Sequence, residues 1–239
     1  MRPRRLFALL GPLLDDWLPR PCALCGQGLS THGHPGGLCA GCWHALPGRD
    51  AARCSRCGSS GTNHTCSPEL AGALTAVVVA CDYAAPLDRW VTAMKYGGDP
   101  ALAIGLGQLL VAPAQAWLQT GHALDAIVPI PPAPSRVIER GFDHTARLAV
   151  PLARGLGIPL RRTWLKRIRH TPAQATLQRA ARALNLQDAM RASAAVQGQR
   201  IALVDDVLTT GATLAEAARC LRKAGASAVL ALVVARTAA

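Results

Sequence analysis

Seven of the nine cysteines lie between Cys22 and Cys66, and six of them form three Cys-x-x-Cys pairs: Cys22/Cys25, Cys39/Cys42 and Cys54/Cys57. The surrounding stretch is rich in Gly, His and Ser and poor in aliphatic residues. It has too little apolar surface for a core of its own and needs a staple. A Cys-x-x-Cys turn aims two thiolates at one ion, and two such turns make a tetrahedral four-sulfur site suited to structural zinc. Gly26 and Gly58, directly after the second cysteine of their pairs, let the turn close, because glycine accepts positive φ. Cys22, Cys25, Cys39 and Cys42 form one complete set. Cys54, Cys57 and Cys66 form an incomplete one, to which His64 or His44 adds a fourth ligand, unless the second ribbon is metal-free and held by packing; interleaved pairing of the cysteines also stays open. A four-sulfur site has no position for a reacting water, so the metal is expected to be structural. The isolated Cys81 and Cys220 read as plain buried residues.

Disulfides are disfavoured because nothing at the start of the chain reads as a secretion signal. The apolar run Leu6 to Leu14 follows Arg2, Arg4 and Arg5, but Asp15 and Asp16 come next and no small-residue cleavage site does. It reads as a mature helix. Half of the residues are hydrophobic, which excludes disorder as the dominant state. No run of 18 or more uncharged apolar residues is present, so no transmembrane segment is expected. The expected location is cytoplasmic, or peripheral to the inner membrane.

Three segments follow. Residues 1–20 read as a short amphipathic helix, 21–69 as the cysteine ribbon, and 70–239 as an α/β domain. In the last, apolar strands (Leu74–Cys81, Asp125–Ile130, Arg200–Val204, Ala228–Val234) alternate with helices (Pro86–Lys95, Ala101–Leu118 weakened by Pro113, Thr145–Gly155, Arg179–Asn185, Thr213–Ala224). This alternation predicts a doubly wound parallel sheet. The prolines at 129, 131, 132 and 134 predict a stiff loop, and the unpatterned residues 165–178 a mobile one. Lys and Arg total 26 against 14 acids, a net charge of +12, and residues 136–200 hold thirteen of the bases and three of the acids. Such an excess favours polyanions: nucleic acid or phosphorylated metabolites.

The most informative segment is Ile201-Ala-Leu-Val-Asp205-Asp206-Val-Leu-Thr209-Thr210-Gly211-Ala212-Thr213. An apolar strand runs into two carboxylates, a hydroxyl-rich turn and a helix start. Backbone N–H groups at a helix N-terminus carry partial positive charge and bind phosphate. Thr209, Thr210 and Thr213 add donors, and Gly211 allows close approach. Asp205 and Asp206 can accept hydrogen bonds from vicinal hydroxyls, so a ribose 5-phosphate fits both halves. This pattern resembles the phosphoribosyl pyrophosphate signature of type I phosphoribosyltransferases. Arg136 and Arg140 follow the Pro-rich strand end, where cations would meet a pyrophosphate, and Lys95 is a further anion contact. Mg²⁺ is the expected cofactor on the pyrophosphate and ribose oxygens, since hard oxygen ligands suit it.

Other motifs narrow the resemblance. In order come the ribbon, Lys95-Tyr96-Gly97-Gly98, Val128-Pro-Ile-Pro with Arg136, Arg140-Gly141-Phe142-Asp143, Arg169-x-Thr171-x-x-Gln174-x-x-Leu177 and Arg182-x-x-Asn185. Over about residues 10–237 the chain resembles the ComF family, competence-associated phosphoribosyltransferase-like proteins with an N-terminal double zinc ribbon. The resemblance implies an association with DNA uptake and natural transformation, with competence-machinery proteins as partners. Two departures stand out: Asp143 where the family usually has Asn, and a lone Cys66, with His64 nearby, where it usually has a fourth Cys-x-x-Cys. The competing reading is a single-stranded DNA binding module that keeps the phosphate loop without catalysis. The basic segment suits a salt-dependent grip on the backbone, whereas only 4% aromatic residues argue against stacking as its main contact.

Overall fold

The computed structural model describes residues 21–29, 33–62, 64–168 and 189–238. The helices expected over 1–20 and 179–185, and the loop positions Arg169, Thr171 and Gln174, lie outside them. The strands are β1 (Ala76–Asp82), β2 (Ala126–Pro129), β3 (Leu165–Arg167), β4 (Met190–Ala192), β5 (Arg200–Leu208) and β6 (Ala228–Arg236). The α-helices are α1 (Ala40–His44), α2 (Pro68–Ala73), α3 (Leu87–Tyr96), α4 (Pro100–Gln108), α5 (Val111–Gln119), α6 (Pro134–Arg140), α7 (His144–Leu156) and α8 (Ala212–Lys223).

The main sheet has the order β1-β6-β5-β2, and its three pairings are all parallel. Helices cover both faces, as a parallel sheet requires. One face packs Trp90, Leu106, Leu110, Leu148 and Leu152 from α3, α4 and α7 and the turn between α4 and α5. The other packs Leu70 from α2 and Leu214, Ala217 and Leu221 from α8. β6, near-continuously apolar, lies buried between them. The architecture is the expected doubly wound α/β fold preceded by a cysteine-rich module.

The differences from expectation have local causes. The helix expected over Ala101–Leu118 is two helices. Pro113 lacks an N–H, and its ring would meet the carbonyl of Leu109 in a continuous helix. The chain instead turns with Leu109 N–H donating to Leu106 O and Leu110 N–H to Gly107 O, both at 3.2 Å. The stretch Pro100–Gln119 is long and apolar enough by length and composition to cross a membrane, but about a third of it is buried inside the molecule. The expected loop 165–178 begins with β3, which pairs antiparallel with β4. The stiff proline loop gives way at Pro134 to α6, where proline at the first helical position is pre-set for the helix. Of the two isolated cysteines, Cys81 is buried and Cys220 only partly so.

The ribbon leans on the sheet. Cys22, Leu38 and Leu46 join the core beneath α3 and α4. At the outer edge of β1, Val77 N–H donates to Ser55 O at 2.7 Å and Asp82 N–H to Pro47 O at 2.8 Å. Arg53 bridges Asp82 Oδ1 (2.8 Å) and Gly48 O (2.7 Å), and Arg236 at the end of β6 donates to Ser59 Oγ at 2.9 Å. The opposite edge strand, β2, is capped by the segment after α7, where Ile127 N–H donates to Pro159 O and Arg161 N–H to Ile127 O.

Candidate functional site

Two groups of metal-ligand side chains form in the ribbon: Cys22, Cys25, Cys39 and Cys42, and Cys54, Cys57, His64 and Cys66, with the donor atoms of each group within 4.8 Å of one another. Both turns close as their glycines require, Gly26 at φ 73° and Gly58 at φ 74°. A side chain at Gly58 would also strike Val79, its Cβ 2.4 Å from Cγ2. The pairing is sequential, and His64 rather than His44 completes the second group. His44 instead sits edge-on to His34, which stacks on Trp43. The donor sets fit zinc. Burial alone would raise the Cys22 thiol, but N–H groups of Cys25, Cys39 and Leu24 outweigh it and bring the group down to about 6. Burial and its neighbouring thiols push Cys42 up, and Cys66 rises to about 11 through its contacts with Cys57 and Cys54. Four crowded sulfurs cannot all ionise unless a cation compensates them, which a divalent ion does.

The second site is a cleft of about 400 Å³ beyond the C-terminal ends of β2 and β5, where open parallel sheets bind ligands. β2 stops at Pro129, paired with Val204, and β5 runs on to Leu208. The strand was expected to end at Val204. It continues because β6 still pairs with it through Val207↔Ala235 and Leu208↔Arg236. Asp205 and Asp206 therefore lie within β5 but past the end of β2, and both line the cleft. Thr209, Thr213, Lys95, Arg136 and Arg140 line it too. Thr210, Gly211 and Ala212 form the turn between the two threonines without lining it. Gly211 adopts φ 81° at the start of α8 and has no side chain to cap it, while Thr210 Oγ1 accepts from Ala212 N–H at 3.4 Å.

The electrostatics are uneven. Asp206 is buried, with Oδ2 2.8 Å from Lys95 Nζ and 3.5 Å from His144 Nε2. Asp205 is pushed up to about 7, first by burial and then by the neighbouring Asp206 charge. The cleft thus offers one neutralised and one under-compensated carboxylate, beside Arg136, Arg140 and Arg167. Such a surface suits a ligand carrying both anionic groups and hydroxyl donors or a cation.

Four polar cleft residues were not among the candidates taken from the sequence: Tyr83, His144, Thr145 and Arg167. His144 follows the Arg-Gly-Phe-Asp run directly, and that adjacency was the available signal. Arg167 is brought in by β3, whose three residues are too few for a pattern. Its Nε donates to Pro131 O at 3.3 Å. Asp143, the departure from the usual Asn, caps α7: its Oδ1 accepts from Ala146 N–H at 2.9 Å. Asn at that position could accept the same bond.

Comparison with known proteins matches residues 145–239 to the phosphoribosyl transferase domain and residues 13–74 to the double zinc ribbon domain. The chain is 34% identical over 227 residues to the DNA utilization protein YhgH of Escherichia coli K12, covering 92% of this chain and 98% of that one. It is 31% identical over 199 residues to competence protein F of Haemophilus influenzae, covering 79% and 86%. A 39-residue stretch is 56% identical to adenine phosphoribosyltransferase of Mycobacterium avium, covering 16% of this chain and 22% of that one. A solved glutamine phosphoribosylpyrophosphate amidotransferase from B. subtilis is similar at 22% identity, with TM-score 0.37, over 55% of this chain and 25% of that one.

Proposed function

Because the chain belongs to the family of the DNA utilization protein YhgH and competence protein F, a phosphoribosyltransferase-type domain behind a double zinc ribbon, we propose that it binds phosphoribosyl pyrophosphate with Mg²⁺ and acts in the uptake and use of DNA. The observation that carries this reading is the composition of the cleft at the ends of β2 and β5: two carboxylates, three threonines and four cationic side chains. Thr209, Thr213 and the turn through Thr210, Gly211 and Ala212 hold the 5′-phosphate at the start of α8. Asp205 and Asp206 take the ribose hydroxyls. Lys95, Arg136 and Arg140 face the pyrophosphate.

In phosphoribosyl transfer, pyrophosphate leaves the anomeric carbon as a nucleophile arrives, and negative charge grows on the leaving group. The three cations stabilise that charge. When bound, Mg²⁺ shields the pyrophosphate oxygens, and carboxylates such as Asp205 and Asp206 are the hard donors it prefers.

Calorimetric titration of the zinc-loaded protein with phosphoribosyl pyrophosphate and Mg²⁺ tests the proposal, repeated with single-stranded DNA present. Micromolar binding is expected. No binding of the sugar pyrophosphate, with salt-sensitive binding of DNA, would favour the second reading. In that reading the basic stretch 136–200 grips a nucleic-acid backbone and the phosphate turn is inherited without catalysis.

A further inference from the structure

β5 reaches the cleft with support on one side. β2 stops at Pro129, opposite Val204, so among the described residues only β6 pairs with the stretch from Asp205 to Leu208. The last rung of the sheet joins Asp82 of β1, Arg236 of β6 and Leu208 of β5. The residues that follow its two outer members, Tyr83 and Thr209, both line the cleft. Backbone bonds close the end of that rung: Tyr83 N–H donates to Arg236 O at 2.7 Å, and Thr237 N–H to Leu208 O at 3.1 Å. Side chains of the ribbon hold the rung from outside. Ser59 is 6% exposed; its Oγ accepts from Arg236 Nε at 2.9 Å and meets Cys57 Sγ at 3.4 Å. Arg53 Nη1 donates to Asp82 Oδ1 at 2.8 Å and to Gly58 O at 3.3 Å. Arg53 directly precedes Cys54, and Ser59 follows Cys57 by two residues. Both contacts therefore leave from the turn that carries two ligands of the second metal group.

We propose that Arg53 and Ser59 are positioning residues for the cleft: by clamping Asp82 and Arg236 they fix the last rung, so that metal in the second group and phosphate at the Thr209 turn strengthen each other's binding. A phosphate site made of N–H groups and hydroxyls binds well when its donors already point at the ligand. A strand end that wanders must first be ordered, which lowers affinity. The metal shapes the turn, the turn holds the rung, and the rung aims Thr209 and the start of α8. Neither Arg53 nor Ser59 lines the cleft, so both act through the residues they hold. The coupling rests on the ligand assignment above, whereas the clamp does not.

Two measurements separate them. The first is hydrogen exchange of the zinc-loaded protein without ligand. The amides of Tyr83 and Thr237 should exchange about tenfold faster in Ser59→Ala than in the wild type. Ser55→Ala, at an exposed serine of the same turn, should change neither. Unchanged exchange in Ser59→Ala overturns the clamp whatever the ligand is. The second is calorimetry with ribose 5-phosphate, whose phosphate is the part assigned to the Thr209 turn. Affinity should fall about three- to tenfold in Ser59→Ala and in Arg53→Met, with the zinc content unchanged. Ser59→Thr, which keeps the hydroxyl, should bind like the wild type. In return, saturating ribose 5-phosphate should tighten the hold on one zinc ion against a competing chelator by the same factor in the wild type, and not in Ser59→Ala. Equal affinity in the wild type, Ser59→Ala and Arg53→Met refutes the coupling and leaves the ligand assignment standing. Failure of ribose 5-phosphate to bind the wild type refutes coupling and ligand assignment together.

Discussion

Gly211→Ala places one methyl group at the start of α8, where two costs meet. Gly211 sits at φ 81°, in the left-handed region, where an L-residue pays roughly 1–2 kcal/mol. The new Cβ would also lie 2.6 Å from Leu70 Cδ1 and 3.4 Å from Leu208 Cδ1. Leu70 is 2% exposed in the core under α8 and has little room to move, so overpacking adds about 1–3 kcal/mol. The expected loss is roughly 2–5 kcal/mol, read by urea denaturation of the zinc-loaded protein as a lower midpoint at unchanged slope. A double-mutant cycle separates the two terms. Leu70→Ala alone should cost about 2–5 kcal/mol through its cavity. Combined with Gly211→Ala it should cost about 1–3 kcal/mol less than the sum, because the clash is gone and only the backbone term remains. A loss below about 0.5 kcal/mol in Gly211→Ala, or strict additivity with Leu70→Ala, would refute the reasoning.

Asp206→Asn keeps the shape of the side chain but removes the charge that Lys95 pairs with and that the proposed ribose contact needs. Affinity for phosphoribosyl pyrophosphate should fall by about one to two orders of magnitude, with the melting temperature nearly unchanged, by calorimetry and thermal denaturation. Asp205 is raised towards pH 7, so below that pH it holds a proton that a cation or ligand must displace. Mg²⁺-dependent binding should strengthen as pH rises from about 6 to 8, and Asp205→Asn should flatten that profile. The same shift means that in the free protein Asp205 contributes most to stability below its ordinary carboxylate range, and that this contribution is lost as pH rises through about 7. Metal analysis should find about two zinc ions per chain, falling to about one in Cys25→Ser and in Cys54→Ser. His64→Ala should also lower the count, and full occupancy in that variant would remove His64 from the ligand set.

The sequence made the strand–turn–helix around Asp205 and Thr209 legible because hydrophobic run, carboxylates, hydroxyls and glycine follow one another locally. The same holds for the cysteine pairs, whose chemistry is written in their spacing. What stayed hidden depends on partners far along the chain. β5 outlasts its apolar run because β6 continues beside it, and no local feature of Asp205 and Asp206 says that they belong to a strand. α2 is six residues long, too short for a helical period, and α6 was hidden among prolines that also signal loops. His144 and Arg167 reach the cleft only because α7 and the β3–β4 pair converge on it. The choice of His64 over His44 is likewise tertiary: His44 is occupied beside His34 and Trp43.

The hydrogen bonds from β1 to the carbonyls of Ser55 and Pro47 have a consequence away from the cleft. An open sheet ends in a strand with unspent donors and acceptors, and such a strand recruits other chains. Here that edge is shielded by a module whose own shape depends on metal. Stripping the metal therefore uncovers an adhesive border on a domain whose interior is still folded. Light scattering after chelation should rise before helical circular dichroism is lost, and clean loss of both together would say otherwise. A version of the domain trimmed of its ribbon should likewise be recovered as aggregate.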